Sequence, residues 1–398
     1  MSGLIVQEWI ERSGGAEQVL DAFRVALPDS RMFALWSDDG ERFPRSTVSE
    51  SWMARTPLRH HKAMGLPLMP ATWRAAKVGA RPDWVLTSSY VFAHHCDFGT
   101  RRGGVPKFSY VHSPARYLWE PELDGRGSSA AFAAARGVLK RVDRGASRHA
   151  GDLAANSQFV RRRIQRSWER DARVIHPPVK AREIIEGGDW AEVLTAEEAA
   201  VLEALPERGF LMAASRLVPY KRHDAVIRMG DRLGVPVVVA GTGPERDHLQ
   251  ALAESASVPV HMLGFVSDAL MRALFQRALA FVFPPVEDFG IIPVEAMAAG
   301  CPVIVNRVGG AAESVIDGVT GFTVDPDDPV ELAAAVSGLD RIDPAAARAR
   351  AAEFDISRFI GSVRTWVLGE GVTDAAPPRS HAPSAFVGAD AARIPTSR

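Results

Sequence analysis

The chain has 398 residues, 46% of them hydrophobic, and a net charge of −1, enough for two domains and without the global field that would draw nucleic acid. Its two cysteines, Cys96 and Cys301, are too far apart for a metal knuckle, and so thiol-poor a chain reads as cytoplasmic without a disulfide framework. The start lacks the basic region and long apolar run of a signal peptide, and no run approaches the roughly 18 apolar residues of a membrane span.

Residues 4–10 (LIVQEWI) read as a strand, followed by the glycine turn Ser13-Gly14-Gly15 and a helix from Ala16. DWVLTSS (83–89) and PKFSYVH (106–112) read as further strands, and 130–148 and 157–170 as arginine-rich helices. The two prolines of VIHPPVK (174–180) make a stiff extended linker. A regular series follows: FLMAAS (210–215), a helix to Leu233, VPVVVAG (235–241), a helix to about Ala256, then VHMLG (260–264), LAFVFP (279–284), PVIVN (302–306) and GFTVD (321–325). Apolar strands separated by helices predict a parallel sheet covered on both faces. Ligands of such sheets bind beyond the carboxyl ends of the strands, which points to the loops 216–222, 241–244, 264–268 and 284–291. Residues 354–369 predict a last amphipathic helix, and 371–398, rich in Pro, Ala and Ser, a disordered tail.

EDFGIIPVEAMAAGCPVI (287–304) is the strongest motif. Glu287 lies on the loop after a strand, and Gly290 lets backbone approach a ligand. Pro293 suits the first helical position, which puts Glu295 in the first turn, and Gly300 suits the far cap. Backbone N–H groups at 290–292 would open toward an anion such as pyrophosphate. The carboxylates repel phosphate, so hydroxyls are their natural partners. A Glu295 that merely complements the helix dipole, beside a solvated Glu287, is an equally good reading of the spacing. In SRLVPYKR (215–222), Arg216 and Lys221 could clamp a diphosphate, Arg as a planar fork and Lys as a point charge. Ordinary surface charge is the commoner fate of such residues. GTGP (241–244) is a glycine turn of the kind every α/β protein carries.

SRLVPYKR, GTGP, LGFVSD and EDFGIIPVEAMAAGCPVI, in this order, resemble the donor domain of retaining glycosyltransferase family 4, which has the GT-B fold. EWIERSGGAEQVL (8–20), PLMP (67–70), SSYVFAH (88–94), YVHSPARYLWE (110–120), ANSQFVRRRI (155–164) and VIHPPV (174–179) resemble its mannosyltransferases of bacterial O-antigen and exopolysaccharide synthesis. The resemblance covers residues 4–370. It implies two Rossmann-like, doubly wound α/β domains facing across a cleft: an acceptor-side domain 1–180, a donor domain 181–350 and a helix 351–370 returning to the first. It implies that Arg216 and Lys221 bind the donor diphosphate, Glu287 the sugar hydroxyls and Glu295 the ribose hydroxyls. Phe289, Gly290 and Ile291 would wrap sugar and phosphate through their backbone, with Gly241 and Val266 contributed by GTGP and LGFVSD. Gly14 and Gly15 would let the first domain approach the phosphates, and His112 would stand near the sugar.

The implied catalytic set is His112, Arg216, Lys221 and Glu287. The implied reaction moves a hexose, first of all mannose from GDP-mannose, to a lipid-linked or polysaccharide acceptor with α-linkage, using neither cofactor nor metal. Gln7-Glu8 stands where His-Asp is commoner before Trp9, and Lys180 where an acidic or amide residue follows the proline pair; both touch the acceptor side. A UDP-sugar donor, a nucleotide-sugar epimerase and a non-catalytic nucleotide-binding module are the competing readings. A dinucleotide oxidoreductase lacks its GxGxxG after any predicted strand.

Two further patterns need separate explanations. Asp325-Pro326-Asp327 fits a metal-binding DxD, but Asp328, Pro329 and Glu331 read as a helix start. His94-His95-Cys96-Asp97 offers metal-ligating types without a partner pair. Arginines 136, 141, 144, 148, 161, 162, 163 and 166, with Lys140, form either a solvated face or a docking face for the anionic inner surface of the plasma membrane.

Overall fold

The computed structural model describes residues 2–12, 14–44, 46–121, 130–207 and 209–370. Ser13 and the tail 371–398 lie outside the described residues. Among the described residues the chain divides into two units, one of residues up to 178 together with 357–370, the other of residues 179–356. The sequence suggests 180/181 and 350/351 for these boundaries.

The first unit carries a seven-stranded parallel sheet: β1 (Leu4–Gln7), β2 (Arg31–Ala34), β3 (Val48–Glu50), β4 (Val85–Ser89), β5 (Lys107–Val111), β6 (Asp152–Ala155) and β7 (Arg173–Val174), in the order β3-β2-β1-β4-β5-β6-β7. The expected strand 4–10 ends at Gln7, with only an isolated bridge from Ile10 to Ser37 beyond it. The helix Gly15–Ala26 packs Phe23 against Tyr110 of β5 and Phe359 of the last helix, Ile356–Leu368. Trp366 of that helix donates its ring N–H to Asp152 at 3.0 Å.

The second unit holds β8 (Leu211–Ala214), β9 (Val237–Ala240), β10 (Val260–Gly264), β11 (Ala280–Phe283), β12 (Val303–Asn306) and β13 (Gly321–Val324), all parallel, in the order β10-β9-β8-β11-β12-β13. Strand alternation divides its core between two faces. Met212, Ala214, Val238, Phe281, Phe283 and Val305 pack with the helix Ile291–Ala299 on one side. Leu211, Ala213, Val237, Val239, Val282 and Ile304 pack with the helix His223–Leu233 on the other. Each of the larger of these side chains, fully buried, stabilises by about 1.5–3 kcal/mol, so the sheet is a rigid support for its loops.

The unit closes on itself where it begins and ends. Val179 and Asp355 form a parallel bridge, the Val179 N–H donating to Phe354 and the Ile356 N–H to Val179. In both sheets the strand order reverses once, between β1 and β4 and between β8 and β11. Crevices at the carboxyl ends of strands at such reversals are where open α/β sheets bind ligands.

Candidate active site

Lys221 and Glu287 meet at the β8/β11 reversal. The loop after β8 carries Lys221, the loop after β11 carries Glu287, and Lys221 Nζ donates to Glu287 Oε1 at 2.5 Å. Both side chains are mostly covered, at 13% and 15% exposure, so the pair feels less solvent screening than a surface ion pair. The Lys221 ammonium also lies 5.5 Å from the centre of the Phe283 ring and 5.2 Å from that of Tyr220. Arg216, on the same loop, is exposed. With Ser215, Gly241, Thr242, Phe265 and Val266 it lines a small, partly open pocket.

Gly290 caps the helix Ile291–Ala299 with φ +87°, a backbone conformation that side chains disfavour. The helix therefore starts two residues before the expected point. Pro293 is its third residue, not its first, and Glu295 its fifth, beyond the first turn. Proline is tolerated there because the first N–H groups of a helix have no internal partner. The dipole explanation of Glu295 loses its geometric basis, since the first turn holds no acidic residue. Burial pushes the Glu295 carboxyl up to about 7, Asp268 adds to the rise, and Arg272 and Lys180 oppose it. Gly300, at φ +90°, ends the helix as expected. Phe289 is buried with its ring against Phe354, so the motif turns that side chain into the core and leaves backbone on the ligand side.

In the first unit, His112 follows β5 and its Nε2 lies 2.8 Å from Ser88 Oγ. Burial lowers its pKa to about 4, which leaves a neutral ring at physiological pH. Gly14 is the N-cap of the helix that Gly15 opens. Glu17, in the first turn, accepts the Glu11 N–H at 3.2 Å, and burial pushes it up to about 7. Glu8 is fully buried. Its Oε1 accepts the N–H groups of Val91 at 2.8 Å and Ala93 at 2.6 Å, and burial outweighs these bonds to bring it to about 7. The Gln7-Glu8 departure thus has a visible consequence: the longer acid ties β1 to the loop after β4.

The suspected metal ligands near residue 94 serve another group. Asp143 Oδ1 lies 3.1 Å from His94 Nε2 and 3.0 Å from His95 Nε2. Its Oδ2 accepts the ring N–H groups of Trp119 at 2.8 Å and Trp168 at 2.7 Å. Burial works against this carboxylate, and His94 and His95 outweigh it, holding the group well below the usual range. His94, His95 and Asp143 could together reach a metal ion, but both carboxylate oxygens are already taken up by ring nitrogens. Cys96 and Asp97 do not join them. The DxD lookalike is also occupied. Asp328 caps the helix Pro329–Ser337 by accepting the Val330 and Glu331 N–H groups, and Asp327 is held by Arg222.

Residues 196–352 match the family described as glycosyl transferases group 1. The match lies within the second unit and takes in most of it. An uncharacterised glycosyltransferase of Methanocaldococcus jannaschii is 39% identical over 121 residues, 30% of each chain. The GDP-mannose-dependent alpha-(1-6)-phosphatidylinositol monomannoside mannosyltransferase of Mycolicibacterium smegmatis is 36% identical over 151 residues, 34% of this chain and 39% of that one. The chain thus spans about a third of the length of the curated relatives it matches. Among solved structures, Anabaena HepE in complex with UDP aligns with a TM-score of 0.68 at 18% identity, over 92% of this chain and 99% of that one. Sucrose-phosphate synthase from Thermosynechococcus elongatus aligns with a TM-score of 0.68 at 17% identity, over 92% and 98%. With the two sheets, these matches show the GT-B fold of two Rossmann-like domains.

Within the second unit, sequence reasoning missed two supports of the site. Gly310 lies so close to the motif that a Cβ there would meet the Asp288 carbonyl oxygen at 1.9 Å, and the Gly310 N–H donates to the Glu287 carbonyl at 2.7 Å. His223 Nε2 lies 3.1 Å from Ser215 Oγ and steadies the loop that leads to Lys221, with a pKa that burial and Lys221 bring down to about 4. The adjacent glycines of NRVGGAAE were the available signal for the first. The second had none, because a histidine opening a helix is unremarkable in sequence.

Proposed function

We propose that the protein is a retaining glycosyltransferase that moves mannose from GDP-mannose to a lipid-linked or glycan acceptor with α-linkage, without a metal ion. The observation that carries this reading is the Lys221–Glu287 pair at the β8/β11 reversal, beside the open N-terminus of the helix Ile291–Ala299. A cation, an acid and a helix N-terminus on one crevice suit a ligand that is anionic at one end and rich in hydroxyls at the other. A diphosphate beside Lys221 would share its ammonium with Glu287, freeing carboxylate capacity for hydroxyls of the sugar. Arg216 reaches the same ligand from the pocket mouth. Glu295, whose pKa burial brings to about 7, is partly protonated at physiological pH and can both accept from and donate to ribose hydroxyls.

In the reaction, the bond between the anomeric carbon and the diphosphate oxygen breaks as the acceptor oxygen bonds to the same face of that carbon. The acceptor proton passes to the departing phosphate oxygen. Lys221, Arg216 and the helix N-terminus stabilise the charge that develops on the diphosphate. His112, neutral and engaged with Ser88, serves as a hydrogen-bonding support for the sugar and not as a proton acceptor. In this reading the enzyme works in the cytoplasm at the inner face of the plasma membrane, where lipid-linked acceptors are found.

The name of the Mycolicibacterium relative supports GDP-mannose, while the UDP held by HepE supports a uridine donor as the second reading. Thermal shift with GDP, UDP and NAD, followed by a donor-hydrolysis panel, separates them, because a ligand of the native state raises apparent stability by mass action. Lys221→Ala is expected to lower turnover by about 10²–10³, the cost of removing one preorganised charge donor, while the fold survives. Near-normal turnover in that variant, or turnover abolished by a chelator, would overturn the reading.

A further inference from the structure

A second surface of the first unit has the chemistry of a membrane-seating face. Between Glu50 and Asp83 the chain has no acidic residue but six basic ones, Arg55, Arg59, Lys62, Arg74, Lys77 and Arg81. The segment folds as short helical turns, Trp52–Arg55, Pro57–Arg59, Lys62–Gly65 and Met69–Ala75. Its inward side chains Met53, Met69 and Trp73 are fully buried in the core of the unit. Their neighbours in sequence stay out: Trp52 is 52% exposed, Met64 69% and Leu68 45%. The outward residues are therefore not displaced core, since the core positions beside them are filled.

Charge supports the same occupant. Arg59 and Lys62 pair with Asp38 and Glu11, but Arg55, Arg74 and Lys77 are exposed and have no carboxylate partner among the described residues. The arginine-rich helices singled out in the sequence differ. Arg144 pairs with Glu169, Arg161 with Asp171 and Arg163 with Glu120, and Val138 is the one large hydrophobic exposed among the described residues of both helices.

We infer that the 52–77 segment seats the protein on an anionic lipid bilayer, with Trp52, Met64 and Leu68 entering the headgroup boundary and Arg55, Arg74 and Lys77 meeting lipid phosphates. Amphipathic segments bind bilayers through this combination of buried apolar area and electrostatic attraction. A single-stranded nucleic acid is a poorer occupant, since two of the three exposed apolar groups have no ring on which a base could stack. The inference deepens the membrane part of the proposed function by naming the surface that carries it.

The test is flotation of the full chain with vesicles of phosphatidylglycerol and phosphatidylethanolamine, against neutral phosphatidylcholine vesicles. The protein is expected to float with the anionic vesicles at low salt, and much less with neutral ones or at high salt. A Trp52→Ser, Met64→Ser, Leu68→Ser variant is expected to lose at least about tenfold in affinity, and Arg55→Glu with Lys77→Glu a similar factor. All five positions are exposed, so both variants should keep the wild-type thermal shift with the nucleoside diphosphate. Failure of wild-type flotation, or undiminished flotation of the triple serine variant, would each overturn the inference. Loss of the nucleotide shift in the wild-type protein would instead strike the transferase reading and leave this one standing.

Discussion

Buried ionisable side chains link the site to pH. Glu8 rises on folding from 4.5 to about 7, so the native state keeps a proton that the unfolded chain releases. Its contribution to stability therefore falls as pH rises from about 4.5 to 7. His112 and His223 are lowered from 6.5 to about 4. Below 6.5 the unfolded chain gains protons the native one refuses, so their contribution rises with pH between about 4 and 6.5. The two trends overlap and oppose each other. Glu8→Gln keeps an acceptor for the Val91 and Ala93 N–H groups and removes the Glu8 share of the falling limb, leaving those of Glu17 and Glu295. The variant should match the wild type near about pH 4.5 and exceed it by up to about 3 kcal/mol near about pH 8, since each tenfold change in proton affinity is worth roughly 1.4 kcal/mol. Melting curves across that range check it; a pH-independent difference would mean that Glu8 is not the group responsible.

Loops at the carboxyl edge of the second sheet are shaped by contacts between strands far apart in sequence. Gly310 shows this: a methyl group there must displace the backbone that carries Glu287 and Asp288. Gly310→Ala is expected to weaken nucleoside diphosphate binding by at least about tenfold and to destabilise by about 1–3 kcal/mol, the usual cost of overpacking. Calorimetric titration and denaturant melts measure the two effects, and unchanged affinity would show that the motif loop does not need this support. Such contacts explain which parts were legible in sequence. In the second unit β9, β11 and β12 are buried runs rich in Val, Phe and Ile, so their pattern announces a covered parallel sheet, and the donor-side motifs sit on the loops that pattern indicates. In the first unit β3 is only three residues long, and β6 reads DLAA without a β-branched residue, so neither stood out. The start of the helix Ile291–Ala299 was misplaced because a left-handed glycine, not the proline, sets it. Close approaches such as that of Gly310 to Asp288 are long-range facts that spacing cannot express.

At the scale of the molecule, each unit has its own core and its own anchoring polar group. In the first, Asp143 ties four ring nitrogens from three separate segments. Asp143→Leu would leave the indole N–H groups of Trp119 and Trp168 buried without an acceptor. The expected loss is about 3–5 kcal/mol, as when one partner is removed from a buried charged cluster. It should appear in denaturation as an earlier transition of the first unit, with the nucleotide-dependent transition of the second unchanged; equal shifts of both would refute this independence.

The stitch between Val179 and Asp355 makes the second unit a loop inserted into the sequence of the first. Its consequence lies in the order of synthesis. A ribosome makes residues 179–356, a complete sheet with its helices, ahead of Phe359 and Trp366, which the first unit needs to cover Phe23, Tyr110 and Phe108. The half that is made first must therefore wait, partly uncovered, while the whole of the second is made. A premature stop shortly before residue 357 would spare the later-made module and leave the earlier one unfinished.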